Sequence, residues 1–393
     1  MRKVWLLTLG AFTLGLDAYV MAGLLPVLAA DIGTRVSLAG QLVTAFTLAY
    51  ALSAPLVAGL FSGARPRLLI LGALAVFTVG NALTALAPSL GPLLGARIVA
   101  GAGAGVYSAL STAAAAALVP QEKRGRALAL VMGGMSAGTV LGVPIGVLLA
   151  EHAGWRATLW LVTALGAVAL GGLAALLPQV PAGPAVPVRA RLTALADRAV
   201  APVVAVSFLA AVASLGLYTY LAPVLAAAGG VQEVTPYLWA WGAGGVLGSA
   251  LSGPLVDRTG RVRMLAGGIL LVVAVTEALL PTLAAVALPG AVVALLAWGA
   301  AGWAFQVPQQ HRLLRAGAQR GTVALALNNS ALYLGSAVGS ALGGLALAAG
   351  VAPDALPWAA AGVAALALVV HLATGRRSRP APRVSTLGSY EHS

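Results

Sequence analysis

The residue best suited to chemistry in this sequence is Asp17, a carboxylate near the middle of the first long apolar stretch. A charged side chain at the centre of a bilayer costs about 2.5–3.5 kcal/mol on insertion scales, so it is expected to face a cavity or a partner. We therefore predict that Asp17 binds and releases protons. The alternative is an aspartate that only hydrogen-bonds a neighbouring helix.

Arg97 is the one basic residue inside an apolar stretch. We predict that it is a counter-charge that tunes Asp17 or contacts substrate, and the alternative is a side chain that snorkels to the outer interface. At a rise of about 1.5 Å per residue, the two side chains differ in depth by several ångströms, so direct pairing is not assured. Glu277 is either a second proton site or a snorkelling residue near the outer end of its helix, and we favour snorkelling.

A pocket for a small molecule needs polar and aromatic side chains that converge on it. Taken singly, each such residue in this chain is more often a residue that packs helices together or anchors a helix at the membrane interface. The candidates for a substrate cavity are Tyr19, Asn81, Tyr107, Tyr218, Trp303, Gln306 and Asn328. Cysteine is absent and the histidines lack metal-site spacing, so we predict no metal and no cofactor.

Two apolar stretches carry small residues at every fourth position, a spacing that lets helices approach closely. We expect these stripes to be packing seams at which two halves of the protein rock against each other. The residues are Gly138, Gly142 and Gly146, with Pro144 among them, and Gly335 and Gly339.

These residues must be positioned by helices in a membrane. Of the 393 residues, 60% are hydrophobic and only 8% are charged, against roughly 25% charged in soluble domains. Twelve stretches have the length of about 20 residues that a spanning helix needs, so we predict an all-α integral membrane protein. The spans lie approximately at 5–29, 37–61, 67–87, 91–118, 127–150, 157–178, 200–226, 235–256, 264–284, 290–308, 322–349 and 355–374.

The sequence is duplicated. The segment PVLAA at 26–30 returns at 223–227, and Arg124-Gly125 returns as Arg320-Gly321. Repeats of this kind build transporters from two related halves around a central site. The position of Asp17 is occupied by Ser214 in the second copy. We predict a six-helix half at 1–178, a cytoplasmic linker at 179–199, a second six-helix half at 200–375 and a disordered cytoplasmic tail at 376–393.

The basic residues orient the chain. With a cytoplasmic N-terminus, twenty of the 23 lysines and arginines fall in inner segments, as the positive-inside rule predicts. Both termini are then cytoplasmic. The net charge of +13 lies in short clusters rather than on a long basic face, so we predict no nucleic-acid partner. A phosphate-binding loop is absent, so energy must come from an ion gradient.

Several motifs resemble the major facilitator superfamily. The segment GPLVDRTGR at 253–261, with Asp257 and Arg258, resembles its loop signature, and the first copy at 59–67 is degenerate. The segment LGARIVAG at 94–101 is similar to the helix 4 motif whose arginine is linked to proton coupling. The segment GVPIG at 142–146 is similar to the motif of drug:proton antiporters. The resemblance implies two pseudo-symmetric six-helix halves and an inner gate at Asp257 and Arg258.

Within that superfamily, DAYVMAGLLP at 17–26 and GWRAT at 154–158 resemble the bacterial branch of chloramphenicol-type and arabinose-type exporters. The resemblance implies proton-coupled efflux of a small amphiphilic drug by alternating access, performed by a monomer in the inner (plasma) membrane. Its partners are then the substrate, protons and the lipid bilayer. The alternative is a sugar or nucleoside exporter or uptake permease. A membrane enzyme is not expected, because no nucleophile–base pair or metal cluster is visible.

Overall fold

The computed structural model describes residues 2–60, 64–181, 193, 196–315 and 318–374. The regular structure of these residues is helical throughout, as predicted. We number the long helices in chain order: α1 Arg2–Asp31; α2 Gln41–Leu60, preceded by Val36–Ala39; α3 Pro66–Leu86; α4 Leu90–Ala117; α5, in segments Arg124–Ala137, Gly138–Gly142 and Val143–Ala153; α6 Trp155–Leu176; α7 Ala201–Thr219, continued by Leu221–Gly229; α8 Thr235–Thr259; α9 Val262–Val286; α10 Leu288–Ala304, continued by Gln306–Leu314; α11 Ala318–Ala348; and α12 Leu356–Thr374.

Eleven of these helices are long and apolar enough to cross a membrane. The remaining one, α8, is 25 residues long, but its glycines and serines and the pair Asp257 and Arg258 lower its mean hydropathy. Most of the predicted linker at 179–199 and the tail at 376–393 lie outside the described residues, as does Gly63 in the degenerate loop copy.

The two halves repeat the same packing. In the first half α1 packs against α5 and α6, and α4 packs against α2 and α3; in the second, α7 packs against α11 and α12, and α10 against α8 and α9. One hydrogen bond is repeated as well. Arg67 Nη2 donates to the Ala174 carbonyl at 2.7 Å, and Arg263 Nη2 donates to the His371 carbonyl at 3.1 Å. Each arginine ties the start of the third helix of its half to the end of the sixth.

The glycine stripes lie inside the halves rather than between them. A β-carbon on Gly138 would overlap the carbonyl of Phe12 in α1, and one on Gly142 would lie 3.1 Å from the Leu16 side chain. In α11, a β-carbon on Gly339 would overlap the carbonyl of Val212 in α7. The prediction that the halves rock at these stripes was therefore wrong. The spacing predicts a close helix pair but does not identify the partner, which is a helix of the same half.

A five-residue π-helical segment, Gly138–Gly142, interrupts α5. Pro144 follows it and has no backbone N–H, so it leaves the carbonyl of Val140 without its usual partner four residues on. In membrane helices, a local π-helical turn is one of the adjustments that satisfy the backbone groups freed by a proline. Pro144 thus sets the local geometry of α5 where Gly142 meets α1.

The motif GWRAT at 154–158 links two helices of the first half. Gly154 adopts a φ of 81°, a conformation that favours glycine, and so turns the chain from α5 into α6. The next two residues both donate to the Asp31 carboxylate at the end of α1, with Trp155 Nε1 at 3.0 Å and Arg156 Nη1 beside it. The motif therefore fixes the start of α6 to the end of α1.

The halves meet through α2 with α11 and α5 with α8. Thr44 Oγ1 and Ser340 Oγ lie 2.9 Å apart, and Thr235 Oγ1 donates to Glu151 Oε1 at 3.0 Å. Within the second half, the Tyr220 hydroxyl donates to the Ser340 carbonyl at 2.7 Å. These contacts lie toward the helix ends that are remote from Arg2 and Thr374, so the halves are joined at that end of the bundle. We call it the joined end.

Candidate functional site

Three polar side chains from three helices meet inside the first half. Arg97 Nη1 in α4 donates to Asp17 Oδ1 in α1 at 2.7 Å. Asn81 Nδ2 in α3 donates to Asp17 Oδ2 at 3.3 Å, and Arg97 Nη1 also approaches Asn81 Oδ1 at 3.4 Å. Asp17 and Asn81 are 0% exposed and Arg97 is 1% exposed. We call these three residues the buried triad.

Arg97 does not snorkel. Its side chain points into the half, and its guanidinium carbon lies 4.2 Å from the centre of the Phe46 ring in α2. A cation over an aromatic face is attracted by the quadrupole of the ring. The depth difference expected from helix rise is bridged by the length of the arginine side chain, which that estimate left out. Asp17 and Arg97 are therefore in direct contact.

Because this ion pair is buried, it is expected to add little to the free energy of folding. Removing both charges from water costs several kcal/mol per ion, and the attraction repays this only when further hydrogen bonds complete the geometry. Asn81 supplies one such bond to Asp17, but Arg97 Nε has no hydrogen-bond partner among the described residues. The described residues therefore satisfy the pair only in part, and stability alone does not explain it.

An aromatic cluster begins two residues after Asp17. The Tyr19 ring lies 5.7 Å from Tyr218 in α7, 6.0 Å from Trp241 in α8 and 6.1 Å from Trp303 in α10. The Tyr218 and Trp241 rings are 4.3 Å apart. One aromatic residue of the first half therefore inserts among three of the second half. We call these four residues the central aromatic cluster.

A cavity of about 20 Å³ lies between the halves beside this cluster. A single water needs roughly 10–15 Å³ of such space, whereas drug-sized ligands occupy pockets of about 300–1,000 Å³. The cavity therefore has room for about one water molecule, and a drug-sized substrate would need a larger space between the halves. Its lining comes from α1, α2, α7 and α11: Ala18, Tyr19, Ala22, Val43, Thr47, Leu215, Tyr218, Thr219, Tyr333 and Ser336.

The other predicted cavity residues lie elsewhere. Tyr107 is buried in α4 and donates its hydroxyl to the Leu7 carbonyl at 3.1 Å, so it packs α4 on α1 and is not part of the lining of this cavity. Asn81 belongs to the buried triad. Gln306 is half-buried at the start of its segment, and Asn328 is buried in α11, with no hydrogen-bond partner for its Oδ1 among the described residues. Three of the four aromatic candidates converge in the central aromatic cluster, whereas Tyr107 and the amides do not.

Asp257 and Arg258 are exposed at the end of α8. The ion pairs found among the described residues join Asp17 to Arg97 and Asp31 to Arg156, so neither Asp257 nor Arg258 is in one. The loop lies at the end of the bundle opposite the joined end.

Glu277 does not snorkel either. Its side chain is 0% exposed in α9, and neither carboxyl oxygen has a hydrogen-bond partner among the described residues. Nine residues of helix, or about 13 Å, separate it from the end of α9 at Val286. That distance is too long for a glutamate to span, which explains why the snorkelling interpretation was wrong.

Sequence reasoning missed three aromatic residues. Trp241 joins the central aromatic cluster, Trp298 Nε1 donates to Ser214 Oγ at 2.7 Å, and Tyr50 stacks on Tyr333 with ring centres 3.5 Å apart. A signal existed for Trp298, because Ser214 occupies the position of Asp17 in the second copy and a small polar group there needs a partner. Nothing in the sequence around Tyr50 distinguished it from a tyrosine that anchors a helix at the membrane interface.

The fold and the arrangement of the site define a membrane transporter made of two related helical halves. The model of the Major Facilitator Superfamily matches residues 7–339, and the chain belongs to this superfamily. Its members are transporters, so the protein is not an enzyme.

Two relatives and one solved structure illustrate the similarity. The chain is 32% identical over 373 residues to the inner membrane transport protein YdhP of Escherichia coli strain K12, covering 94% of this chain and 95% of that protein. It is 35% identical over 279 residues to a chloramphenicol resistance protein of Streptomyces lividans, covering 68% and 70%. The crystal structure of a D-xylose–proton symporter superimposes with a TM-score of 0.75 at 19% identity, covering 94% and 96%, and so shares the fold.

Proposed function

We propose that this transporter exports a small amphiphilic organic molecule in exchange for protons. The observation that carries the proposal is the ion pair of Asp17 and Arg97, which is closed to solvent and lies two residues along α1 from Tyr19 in the central aromatic cluster. A proton that binds Asp17 removes its charge and leaves Arg97 as an unpaired buried cation. Because such a cation is costly, proton binding must move Arg97.

The contacts of Arg97 suggest how this movement reaches the substrate cavity. Its guanidinium lies over Phe46, the Phe46 ring lies 6.3 Å from Tyr50, and Tyr50 stacks on Tyr333 of the other half. Movement of Arg97 therefore disturbs α2, which forms the contact between the halves with α11. On the other side of Asp17, Ala18 and Tyr19 line the cavity directly. Protonation of Asp17 and binding of substrate would thus each require a particular position of α1 and α2, so that one would disfavour the other.

The chemistry of the cavity favours an aromatic or apolar molecule that carries hydroxyl or amide groups. Its described lining has no charged side chain and contributes tyrosine rings together with the hydroxyls of Thr47, Thr219 and Ser336. Chloramphenicol-like compounds have this chemistry, and the relative from Streptomyces lividans is a chloramphenicol resistance protein. A sugar substrate would need more converging amides, and Gln306 and Asn328 do not line this cavity.

We further propose that both termini are cytoplasmic, that the protein works as a monomer in the inner membrane, and that the joined end faces outward. The loop of Asp257 and Arg258 then lies on the cytoplasmic side. Because both side chains are exposed while the halves are joined at the other end, we propose that they form a charge-assisted contact only when the cytoplasmic side closes.

The experiment is a drug panel in bacterial cells that lack their own exporters, with chloramphenicol and ethidium as probes. Expression should raise the inhibitory concentration of at least one compound and speed ethidium efflux from preloaded cells. The matched control is Asp17→Asn at the same membrane level, which should give no protection. Protection that persists in the Asn variant would contradict proton coupling through Asp17, and a panel without any effect would contradict drug efflux.

A further inference from the structure

The second half contains a buried carboxyl that the proposed mechanism does not use. Glu277 in α9 is completely enclosed, and both of its carboxyl oxygens lack hydrogen-bond partners among the described residues. An ionised carboxylate in such surroundings is very unfavourable unless it is paired, whereas a neutral carboxylic acid is tolerated.

Glu277 occupies a position related by duplication to the buried triad. It follows Asn81 by the same 196 residues that separate Arg67 from Arg263, the arginines that make the repeated hydrogen bond. The counterpart of Asp17 is Ser214, whose hydroxyl accepts from Trp298. The counterpart of α4 is α10, and its segment Leu288–Ala304 contains no charged residue. The second half therefore has a carboxyl where the first half has the amide of Asn81, and the described residues supply no cation to pair with it.

Charged groups on the neighbouring elements are remote from Glu277. The elements packed against α9 are α10 with its continuation, α12, α8 and the Leu221–Gly229 segment. His371 Nε2 lies 3.0 Å from the Arg263 carbonyl and its Nδ1 lies 3.3 Å from Arg312, which places this group at the start of α9, about 21 Å along the helix from Glu277. The other titratable side chains on the described parts of these elements are His311, Asp257 and Arg258 toward the same end and Tyr237 at the opposite end of α8.

We propose that Glu277 is a second proton-binding site, which holds a proton while the halves are joined as in this structure. Binding is simple protonation: one carboxylate oxygen takes up H⁺, the group becomes neutral, and no other bond changes. The proton leaves when movement of the second half brings Glu277 to water. Its release during transport rests on the proposed proton-coupled function, whereas its protonated state in this conformation does not.

The protonated state is tested by infrared spectroscopy of the purified full-length protein in lipid nanodiscs at neutral pH. We expect a carbonyl stretch of a protonated carboxylic acid that disappears in Glu277→Gln and returns, shifted, in Glu277→Asp. Glu233→Gln removes an exposed carboxyl and should leave the band unchanged. Absence of the band from the wild-type protein would overturn the proposal without requiring any variant to fold.

Exchange of the proton is tested by counting protons released when chloramphenicol is added to weakly buffered protein with a pH-indicating dye. If both carboxyls titrate, Glu277→Gln should release about half as many protons as the wild type, because one of two sites is lost. Unchanged release would show that Glu277 does not exchange its proton and would contradict the second site. A loss in Glu277→Gln with none in Asp17→Asn would refute coupling through Asp17 and leave Glu277 standing.

Discussion

At the scale of single residues, the main feature is an ion pair placed where charges are least stable. Asp17 and Arg97 lie 2.7 Å apart with almost no exposure. Replacing a buried pair of this kind by apolar residues is often neutral or stabilising, so stability alone does not explain it. Proton coupling would explain why the pair is present. The proposed function requires the pair to break when Asp17 takes up a proton. The free energy of protonation would then depend on how close α1 and α4 hold the two side chains.

This view predicts an asymmetry between single and double variants. Arg97→Gln leaves Asp17 buried without its cation and should destabilise the protein by about 3–5 kcal/mol. Asp17→Asn combined with Arg97→Gln removes both charges and should recover most of that loss. Thermal unfolding followed by fluorescence in detergent measures both. A single variant as stable as the wild type, or a double variant no better than the single, would contradict the pairing.

The sequence predicted the members of this site better than their contacts. Asp17 and Arg97 were both identifiable as rare charges in apolar spans, because burying a charge needs a reason. Their contact was not predictable from helix rise, since side-chain length and rotamer decide whether two positions meet. Glu277 was misjudged for a related reason, because its exposure depends on the helices that surround α9.

At the scale of elements, complementary stripes decide how α1 and α5 pair. In α1, Thr8, Phe12, Leu16 and Val20 recur at every fourth position, and they face Gly134, Gly138, Gly142 and Gly146 in the same order. Side-chain and backbone atoms of α1 thus occupy the space left by the missing side chains of α5. Asp17 lies on α1 within this closely packed pair.

We therefore expect substitutions in the stripe to affect packing before transport. In Gly138→Val the new side chain would overlap the Phe12 backbone, so α1 and α5 must separate and the unfolding temperature should fall by several degrees or more. Gly133→Val is the matched control, because no atom lies within 4 Å of a β-carbon there. Size-exclusion profiles and thermal unfolding compare the two. Equal stability of both variants would contradict this packing.

The helices themselves were predictable, because about 20 consecutive apolar residues fold in lipid only when every backbone group bonds internally. Interruptions were not. The prediction placed one continuous span at 200–226, whereas α7 ends at Thr219 and continues only from Leu221. The partner of each glycine stripe was also beyond reach, because a spacing of four describes one helix surface and contains no information about the second.

At the scale of the whole molecule, two halves of the same architecture carry different chemistry. The first half holds a paired carboxyl at Asp17, and the second holds one at Glu277 that has no partner among the described residues. In this structure the halves are joined at one end of the bundle, and alternating access requires a second arrangement in which they are joined at the other end. Its direction across the membrane depends on the orientation of the chain.

Orientation is tested with single cysteines, since the natural chain contains none. Gly91 and Gly125 both have open space around an added β-carbon and are predicted to lie on opposite sides. Gly91→Cys should react with an impermeant maleimide in intact cells, and Gly125→Cys should react only after the membrane is opened. The reverse pattern would place the termini outside and invert the proposed direction of transport.

The central proposal is that Asp17 couples the proton gradient to transport, and proteoliposomes test it most directly. Wild-type protein, reconstituted with whichever panel compound it exports, should accumulate that compound against its gradient when a pH difference is imposed. Asp17→Asn fixes a neutral side chain, so it should still equilibrate the compound downhill but no longer concentrate it. Asp17→Glu should retain part of the accumulation. Accumulation by the Asn variant at the wild-type rate would show that Asp17 is structural and would contradict the proposed mechanism.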